Sequence, residues 1–303
     1  MSAHSARSLA LLLLLAACGR GDGAPAPAAA AVQVVDDLGD TVRLARPATR
    51  IVSLAPGATD LLVTIGAADR IVGRTVYDTA AALRHLPVVG GGLDPSLEVL
   101  VGLRPDVVIG WKDPAGRTAP RLADAGIAYF NVAAIDTTAL FANLRRFGVL
   151  TGLAARGDSL AASIRAELAE VRRSVAGRER PTVLFVAEWS PPMTGGPGTL
   201  ALQLVGAAGG RSAFPELTQP SPSVSLEAIV RRQPDYVLSA YGDRTPAEEL
   251  RRLRAMPGWR ELRAVREGRV VLIHRDLLNR NGPAVGEAAR LIRDALHPGA
   301  APR

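Results

Sequence analysis

One fifteen-residue pattern occurs twice in this chain, in residues 95–109 and 224–238, and it constrains the fold more than any other feature. Each copy contains Ser-Leu-Glu, a short amphipathic stretch, then Pro-Asp and a run of β-branched or aromatic residues. The copies begin 129 residues apart, which is far longer than the period of a solenoid repeat and close to the size of one domain. The chain therefore divides into two similar lobes, which we place at residues 32–150 and 179–303.

The pattern predicts the same helix and strand in each copy. Ser96 and Ser225 are good N-cap residues. The glutamate two positions after each serine, Glu98 or Glu227, lies in the first turn, where the helix dipole favours a negative charge. The proline of Pro-Asp cannot continue the helix. Residues 107–109 and 236–238 then suit buried strands of a parallel sheet.

Residues 151–178 connect the two lobes, and their pattern predicts one long helix. Apolar residues recur at helical spacing with charged residues between them: Leu160, Ile164, Leu168 and Val171. A helix of about 22 residues would be about 33 Å long. In the first lobe we expect a strand at residues 50–55 and a helix that begins at Thr59. The sequence thus predicts an α/β protein of two Rossmann-like α/β lobes joined by one long interlobe α-helix.

The first 31 residues carry targeting information. Arg7 precedes the apolar run 9–15, as in a secretory signal peptide, which we place at residues 1–17. Cys18 follows Leu-Ala-Ala, as in a lipobox, and is the expected lipidation site. Residues 18–31 are rich in Gly, Ala and Pro and predict a flexible tether. We expect an exported protein, lipid-anchored to the cell envelope, with its soluble module in the periplasm or on the outer face of the membrane. The alternative is an ordinary signal peptide with a chance cysteine.

Composition and motifs exclude several other classes. A single cysteine rules out a disulfide scaffold or a thiolate metal cluster. The net charge of +7 comes from arginines spread among acids, without the basic run and interleaved aromatic residues of a nucleic-acid-binding surface. An exported hydrolase would need a G-x-S-x-G elbow, and a dinucleotide-binding module would need G-x-G-x-x-G after a strand. The sequence contains neither motif, so we predict no enzyme activity, no metal site and no bound cofactor.

Aromatic and charged residues follow the predicted strands, where a ligand cleft between the lobes would lie. The candidates for ligand binding are Tyr77, Trp111, Trp189, Asp276 and Arg280. Flat aromatic faces suit planar macrocycles, and the Asp and Arg side chains could grip peripheral amides or carboxylates. Two alternatives remain open. The aromatic residues could pack at the lobe edge, and Asp276 could form an exposed ion pair with Arg280.

Four segments, in order, resemble the periplasmic binding proteins that have a helical backbone and serve ABC importers of cobalamin, ferric siderophores and haem. They are residues 50–62, 96–109, 191–199 and 224–227. The resemblance extends over residues 32–298 and implies two α/β lobes bridged by one helix. It also implies a ligand in the interlobe cleft and an ABC permease dimer with its ATPase subunits as the partner. We expect the receptor itself to be a monomer.

Within this family the cobalamin-binding member is the most similar. Trp111 corresponds to an aromatic residue of its cleft, Tyr77 to its tyrosine, and Asp276 with Arg280 to its Asp-x-x-x-Arg pair. Gly92 and Ser221 stand where that member has two further tryptophans. The resemblance implies a corrinoid ligand, with a ferric siderophore or haem as the alternatives.

Glu98 and Glu227 occupy equivalent positions in the two copies of the pattern. Two like charges that a rigid scaffold holds apart can dock onto a symmetric partner with basic pockets, and such charges set orientation and on-rate more than affinity. In the family, such glutamates engage arginines on the two permease subunits. The alternative role is stabilisation of the helix dipole, worth about 0.3–1 kcal/mol each.

Overall fold

The computed structural model of the chain describes residues 31–112, 116–133, 136–242 and 244–299. The predicted signal peptide, Cys18 and the tether as far as residue 30 lie outside these residues. In the first lobe, Val32, Val34 and Val42 point inward from a hairpin of two antiparallel strands. The strands and helices of this lobe are β1 (Val32–Val35), β2 (Thr41–Leu44), β3 (Ile51–Ser53), α1 (Pro56–Thr64), β4 (Ile71–Gly73), α2 (Leu97–Gly102), β5 (Val107–Trp111), α3 (Thr118–Asp124), β6 (Ala128–Val132) and α4 (Thr137–Thr151).

A long helix then leads into the second lobe. The four-stranded sheet of each lobe is parallel and buried on both faces. These elements are α5 (Ala154–Ser174), β7 (Thr182–Val186), β8 (Glu188–Trp189), β9 (Pro192–Met193), α6 (Leu200–Ala207), β10 (Arg211–Ser212), α7 (Leu226–Arg232), β11 (Tyr236–Tyr241), α8 (Pro246–Ala255), α9 (Arg263–Arg266), β12 (Val270–His274), α10 (Arg275–Leu278) and α11 (Val285–Leu296). Short 3₁₀ helices occur at Ala68–Arg70, Ala81–Leu83 and Trp259–Glu261.

The two lobes have the same sheet topology. In the described part of the first lobe the strand order is β4-β3-β5-β6, and in the second it is β10-β7-β11-β12, with every pair parallel. The strand of the duplicated pattern therefore has the same neighbour in each lobe: β5 lies next to β3 and β11 next to β7, the strand of each sheet that comes first in the chain. The predicted fold class of two Rossmann-like lobes joined by a long helix is confirmed.

The duplicated pattern adopts the same local structure in both copies. The Ser96 hydroxyl accepts a hydrogen bond from the backbone N–H of Val99 (3.4 Å), and Ser225 does the same for Ala228 (3.1 Å), so both serines are N-caps. The residue before the proline is left-handed in both copies, with φ of +45° at Arg104 and +44° at Gln233. Within the described ranges, these are the two non-glycine residues with positive φ.

The aspartate of Pro-Asp anchors the neighbouring strand in each lobe. A carboxylate oxygen of Asp106 accepts hydrogen bonds from the backbone N–H groups of Thr49 (2.7 Å) and Arg50 (2.9 Å), just before β3. A carboxylate oxygen of Asp235 likewise accepts from the backbone N–H (2.9 Å) and the hydroxyl (2.6 Å) of Thr182 at the start of β7. The Pro-Asp pair therefore fixes the start of the first sheet strand relative to the motif strand.

The connecting helix is part of a core that both lobes share. Gly152 takes a left-handed φ of +67° and ends α4 at Thr151, so α5 begins at Ala154, within the segment 151–178 that was predicted to connect the lobes. Ile164, Leu168 and Val171 of α5 are buried in one hydrophobic cluster with residues from both lobes. Helix α5 contacts α4 of the first lobe and α6 and α11 of the second. Because residues of both lobes cover its apolar face, α5 acts as a strut between the lobes.

The N-terminal boundary of α1 differs from the sequence prediction. The expected strand at residues 50–55 is shorter, and the helix expected from Thr59 begins at Pro56. Proline is well suited to the first helical position because its missing N–H would have no partner there. The earlier start brings Gly57 against the second lobe, where a Cβ atom would lie 3.1 Å from the backbone nitrogen of Asn281.

Candidate ligand-binding cleft

Strands of both lobes end at a cavity of about 370 Å³ between the lobes. Tyr77 and Trp111 of the first lobe and Asp276 and Arg280 of the second line this cavity. The structure therefore brings together four of the five ligand-binding candidates. Ala55, Leu61 and Phe147 contribute apolar surface to the same cavity, so its wall combines aromatic and aliphatic area with a small number of charged groups, as ligand sites usually do.

Trp111 is the last residue of β5, and its main chain and indole are both held in place. The Tyr129 hydroxyl donates a hydrogen bond to the Trp111 carbonyl oxygen (2.8 Å). A Cβ atom at Gly92 would lie 2.5 Å from the Leu54 carbonyl oxygen and 3.6 Å from the Trp111 indole. A tryptophan at position 92 would therefore require the backbone to move, because the glycine there lets the chain pass close to the Leu54 carbonyl oxygen.

Tyr77 lies on a tight turn after β4. The Asp78 carboxylate accepts hydrogen bonds from the backbone N–H (2.7 Å) and the hydroxyl (2.8 Å) of Thr75, and the Thr75 hydroxyl accepts one from the backbone N–H of Tyr77 (3.2 Å). These bonds fix the main chain on which the tyrosine stands. The Tyr77 residue is 59% exposed, so its ring is available to a ligand without loss of packing.

Arg280 is the most constrained charged group of the cavity. Its guanidinium donates to the Asp276 carboxylate (3.0 Å), to the Asp60 carboxylate (3.1 Å) and to the backbone carbonyl oxygen of Tyr77 (2.7 Å). The side chain is only 12% exposed. Asp276 belongs to the same lobe, whereas Asp60 and Tyr77 belong to the other, so Arg280 ties the two lobes together at the cavity wall.

Asp60 was not among the sequence candidates, although it lies on α1, close to the strand ends. Burial raises the pKa of its carboxyl, and the nearby Asp78 and Asp276 carboxylates act in the same direction. The hydrogen bond and charge of Arg280 oppose them without cancelling the effect. In the sequence, Asp60 directly follows Thr59, the predicted start of the helix after the strand at residues 50–55, and this place near a strand end is the signal that could have identified it; in the structure it lies in the middle of α1.

Further polar contacts also cross the lobe boundary. The Asn281 side-chain amide donates to the Asp136 carbonyl oxygen (2.9 Å), and the Thr137 backbone N–H donates to the Gln203 side-chain oxygen (2.8 Å). Together with the apolar packing around α5, these bonds fix the relative position of the lobes. The cleft is thus a largely preformed site.

The cleft continues beyond this first cavity. A cavity of about 740 Å³ shares Asn279 with it and is lined by Phe185 and Thr199. A third cavity of about 570 Å³ shares Ala187 and Ala240 with the second. Successive cavities thus share wall residues along the strand ends of the two lobes.

Trp189 is the candidate that the structure does not place beside Trp111. It lines the third cavity, and its ring packs edge-on against the buried Trp259 with ring centroids 4.7 Å apart. The Arg252 guanidinium lies 5.7 Å from the Trp189 ring centroid. Tyr241, the last residue of β11, also lines this cavity, and its ring centroid lies 5.4 Å from that of His274. It was not among the sequence candidates, although it stands at the end of the second motif strand.

Glu98 and Glu227 are exposed, each in the first turn of a helix capped by the motif serine. Each helix ends a few residues before the strand of its copy, so the two glutamates have equivalent positions relative to the two sheets. They differ in one respect: the Glu227 carboxylate pairs with the Arg231 guanidinium one turn later (3.3 Å), whereas position 102, one turn after Glu98, is glycine.

Two kinds of feature are absent from the described residues. These residues contain no group of three or more His, Cys, Asp or Glu side chains arranged to hold a metal ion. No helix among them is both long enough and apolar enough to cross a bilayer.

Comparison with known proteins agrees with this geometry. The family model described as "Periplasmic binding protein" matches residues 51–277. The chain belongs to this family. It is therefore a solute-binding protein and not an enzyme, as the sequence predicted, and the molecule that it binds is cargo and not a cofactor.

Three similar proteins illustrate the family. The "Uncharacterized ABC transporter substrate-binding lipoprotein YvrC" of Bacillus subtilis is 25% identical over 88% of this chain and 86% of its own length. A "Cobalamin-binding protein" of Halobacterium salinarum is 28% identical over 86% of this chain and 73% of its own. The solved structure of the periplasmic heme-binding protein RhuT from Roseiflexus has a TM-score of 0.70 at 26% identity and covers 81% of this chain and 98% of that chain.

Proposed function

We propose that this binding protein is the receptor of an ABC importer and that it captures a corrinoid of the cobalamin type in the interlobe cleft. The observation that carries the proposal is the first cavity, where Trp111 and Tyr77 face Asp276 and Arg280 across the lobe boundary. The similarity to a cobalamin-binding protein over most of both chains supports it.

Aromatic rings suit this ligand because a corrin is a large, nearly planar macrocycle. An indole or phenol ring offers wide contact area at a small cost in conformational entropy. The cleft continues from the first cavity through the second to Trp189, so a ligand larger than the first cavity can extend along it. Trp189 would contact such a ligand at the far end.

The polar groups suit the amide side chains of a corrin. An amide both donates and accepts hydrogen bonds. The Asp276 carboxylate accepts, and the Arg280 guanidinium, three of whose five N–H groups are engaged, has donors left for a ligand oxygen. A binding wall that offers both kinds of partner leaves no buried amide group unsatisfied.

Haem is the second candidate, and a ferric siderophore is the third. The exposed phenol of Tyr77 at the cavity is a group that can ligate haem iron. The similarity to the heme-binding protein RhuT supports the same alternative.

We further propose that the mature chain is a lipoprotein monomer that delivers its cargo to a permease dimer with ATPase subunits. Cys18 would carry the lipid, and the Gly-, Ala- and Pro-rich tether would give the folded module reach from the membrane. Glu98 and Glu227 would dock onto the two permease subunits, because they are exposed and equivalently placed on two lobes that α5 holds apart.

The test is titration of the purified protein with cyanocobalamin, haemin and ferrioxamine B by calorimetry and visible absorption. We expect saturable binding of cyanocobalamin that is stronger than binding of the other two. Absence of heat and of any spectral change with cyanocobalamin at high concentration would refute the corrinoid assignment, and saturable binding of haemin alone would favour the second candidate.

A further inference from the structure

Asp60 places a second carboxylate on Arg280, whose guanidinium reaches across the cavity wall to the first lobe. We propose that Asp60 is a selectivity-determining residue of the cleft: it positions Arg280 and neutralises its charge, so that the site favours chelates with neutral amide side chains over chelates with carboxylate side chains. This inference rests on the proposed function, since it concerns the choice among ligands of the same cleft.

The geometry shows how firmly Arg280 is held. Its guanidinium is planar, and three of its N–H groups point to three different acceptors, the carboxylates of Asp60 and Asp276 and the carbonyl oxygen of Tyr77. Since the side chain is nearly buried, it has little freedom to turn toward a ligand. Asp60 supplies the bond that crosses from α1 of the first lobe to the loop after α10 of the second.

Most of the charged groups near Arg280 are acidic. Helix α1 contributes Asp60, the turn after β4 contributes Asp78, and α10 contributes Asp276 with Arg275 beside it. His274, at the end of β12, lies 3.8 Å from the Asp276 carboxylate. Two carboxylates thus accept hydrogen bonds from Arg280, and burial together with repulsion from the Asp78 and Asp276 carboxylates raises the pKa of Asp60.

A ligand carboxylate in the first cavity would find that the basic side chains described there already have partners. Among the described residues that line the first cavity, the basic side chains are Arg275 and Arg280, and both have partners. A ligand carboxylate would have to displace Asp60 or Asp276 from Arg280, or accept repulsion from both. A ligand amide can instead accept from the remaining N–H groups of Arg280 and donate to a carboxylate oxygen.

Replacement of Asp60 by Asn tests the proposal because Asn has nearly the same shape and lacks the charge. The probes are dicyanocobinamide, whose side chains are amides, and dicyanocobyrinic acid, which has the same macrocycle with carboxylate side chains. The measured quantity is the ratio of their two dissociation constants at neutral pH, for the full-length protein. Asp69→Asn is the matched control, since Asp69 is exposed on the 3₁₀ helix that follows α1.

In the wild type we expect the amide corrin to bind more tightly. In Asp60→Asn we expect the preference to shift toward the carboxylate corrin by about tenfold, equivalent to about 1.4 kcal/mol, while Asp69→Asn keeps the wild-type ratio. A purely structural role for Asp60 would weaken both probes equally and leave the ratio unchanged, which would overturn the proposal. A shift of the same size in Asp69→Asn would also overturn it, since the effect would then be one of net charge.

The outcome for the wild type separates this inference from the proposed function. If the wild-type protein binds neither corrin, the corrinoid assignment fails and the selectivity role fails with it. If it binds the amide corrin and Asp60→Asn does not change the ratio, the corrinoid assignment stands and only the role of Asp60 fails. Thermal unfolding of Asp60→Asn, compared with that of Asp69→Asn, verifies that the variants remain folded at the temperature of titration.

Discussion

The two lobes share a scaffold but differ where they face the cleft. Each has the same strand order, the same capped helix and the same aspartate anchor. Five residues after that aspartate, however, the first lobe has Trp111 and the second has Ala240. The second lobe has its tryptophan on another strand, and Trp189 there packs against Trp259. The two lobes thus share their backbone fold and the hydrogen bonds of the capping serines and anchoring aspartates. The side chains at their strand ends differ.

The same contrast appears on α2 and α7, the helices that carry the proposed docking glutamates. Glu98 and Glu227 have matching positions, but Glu227 has an ion-pair partner one turn later, Arg231, whereas the corresponding position after Glu98 is Gly102. The positions of the two charges are therefore nearly symmetric and their electrostatic strengths are not. Five predictions test this comparison, in order from the largest expected effect to the smallest.

Reversal of both docking charges has the largest expected effect. With Glu98→Arg and Glu227→Arg together, we expect cargo import to be abolished, because two basic side chains would face basic pockets on the permease. Affinity for the ligand stays unchanged, since neither residue lines the cleft cavities. Import into proteoliposomes that contain the cognate permease is the measurement. Uptake at the wild-type rate would refute the docking role.

The two tryptophans should have different effects. Trp111→Ala should weaken binding of cyanocobalamin by about thirtyfold, because a central aromatic contact is typically worth about 2 kcal/mol. Trp189→Ala should lower affinity much less but reduce the free energy of unfolding by about 2 kcal/mol, since it removes a ring packed on the buried Trp259. Calorimetric titration and urea unfolding of both variants separate these effects. Equal losses of affinity would show that the lobes contribute equally.

The two aspartate anchors should differ in strength. Asp106→Ala leaves the backbone N–H groups of Thr49 and Arg50 without their acceptor, whereas Asp235→Ala affects one backbone N–H, that of Thr182. We expect each variant to lose about 1–3 kcal/mol of the free energy of unfolding, with the larger loss for Asp106→Ala. Urea unfolding at neutral pH measures this. A larger loss for Asp235→Ala would mean that the pairing with Arg263 (3.3 Å) matters more than the backbone bonds.

The pH dependence of stability follows from the same anchors. Partial burial acts to raise the pKa of Asp106 and Asp235, but the hydrogen bonds from Thr49, Arg50 and Thr182 outweigh it and hold each pKa below its usual range. A carboxyl whose folded-state pKa is lowered stabilises the fold above its unfolded-state pKa of about 3.9, and this contribution is lost as the pH falls through the folded-state value. Below about pH 4, the wild type should therefore lose more stability than either alanine variant.

The smallest expected effect concerns the asymmetry of the docking charges. Arg231→Ala leaves Glu227 without its ion-pair partner, and stability should change by less than about 0.5 kcal/mol because the pair is exposed. Association with the permease should become about twofold faster at low ionic strength, and the difference should vanish at high salt. Arg172→Ala, at an exposed position near the end of α5, is the control. An unchanged rate would show that the pair does not weaken docking.

Several features of this protein followed from local pattern alone. The capped helices, the Pro-Asp ends and the buried strands depend on a few adjacent residues, so the duplicated pattern was sufficient to predict two α/β lobes. The periodicity of Ile164, Leu168 and Val171 was likewise sufficient for the connecting helix. The start of α1 was missed because its capping depends on Pro56 and not on a polar side chain.

The sequence by itself determined the lobes, the strut and the strand ends at which ligand groups would lie, because these depend on residues within one or two turns of each other. Only the tertiary structure decided which strand ends meet. It brought Asp60 to Arg280 across 220 positions of the chain and turned Trp189 toward Trp259. Such pairings depend on how the lobes pack around α5, and a long-range hydrogen bond or ring contact has no periodicity from which it could be predicted.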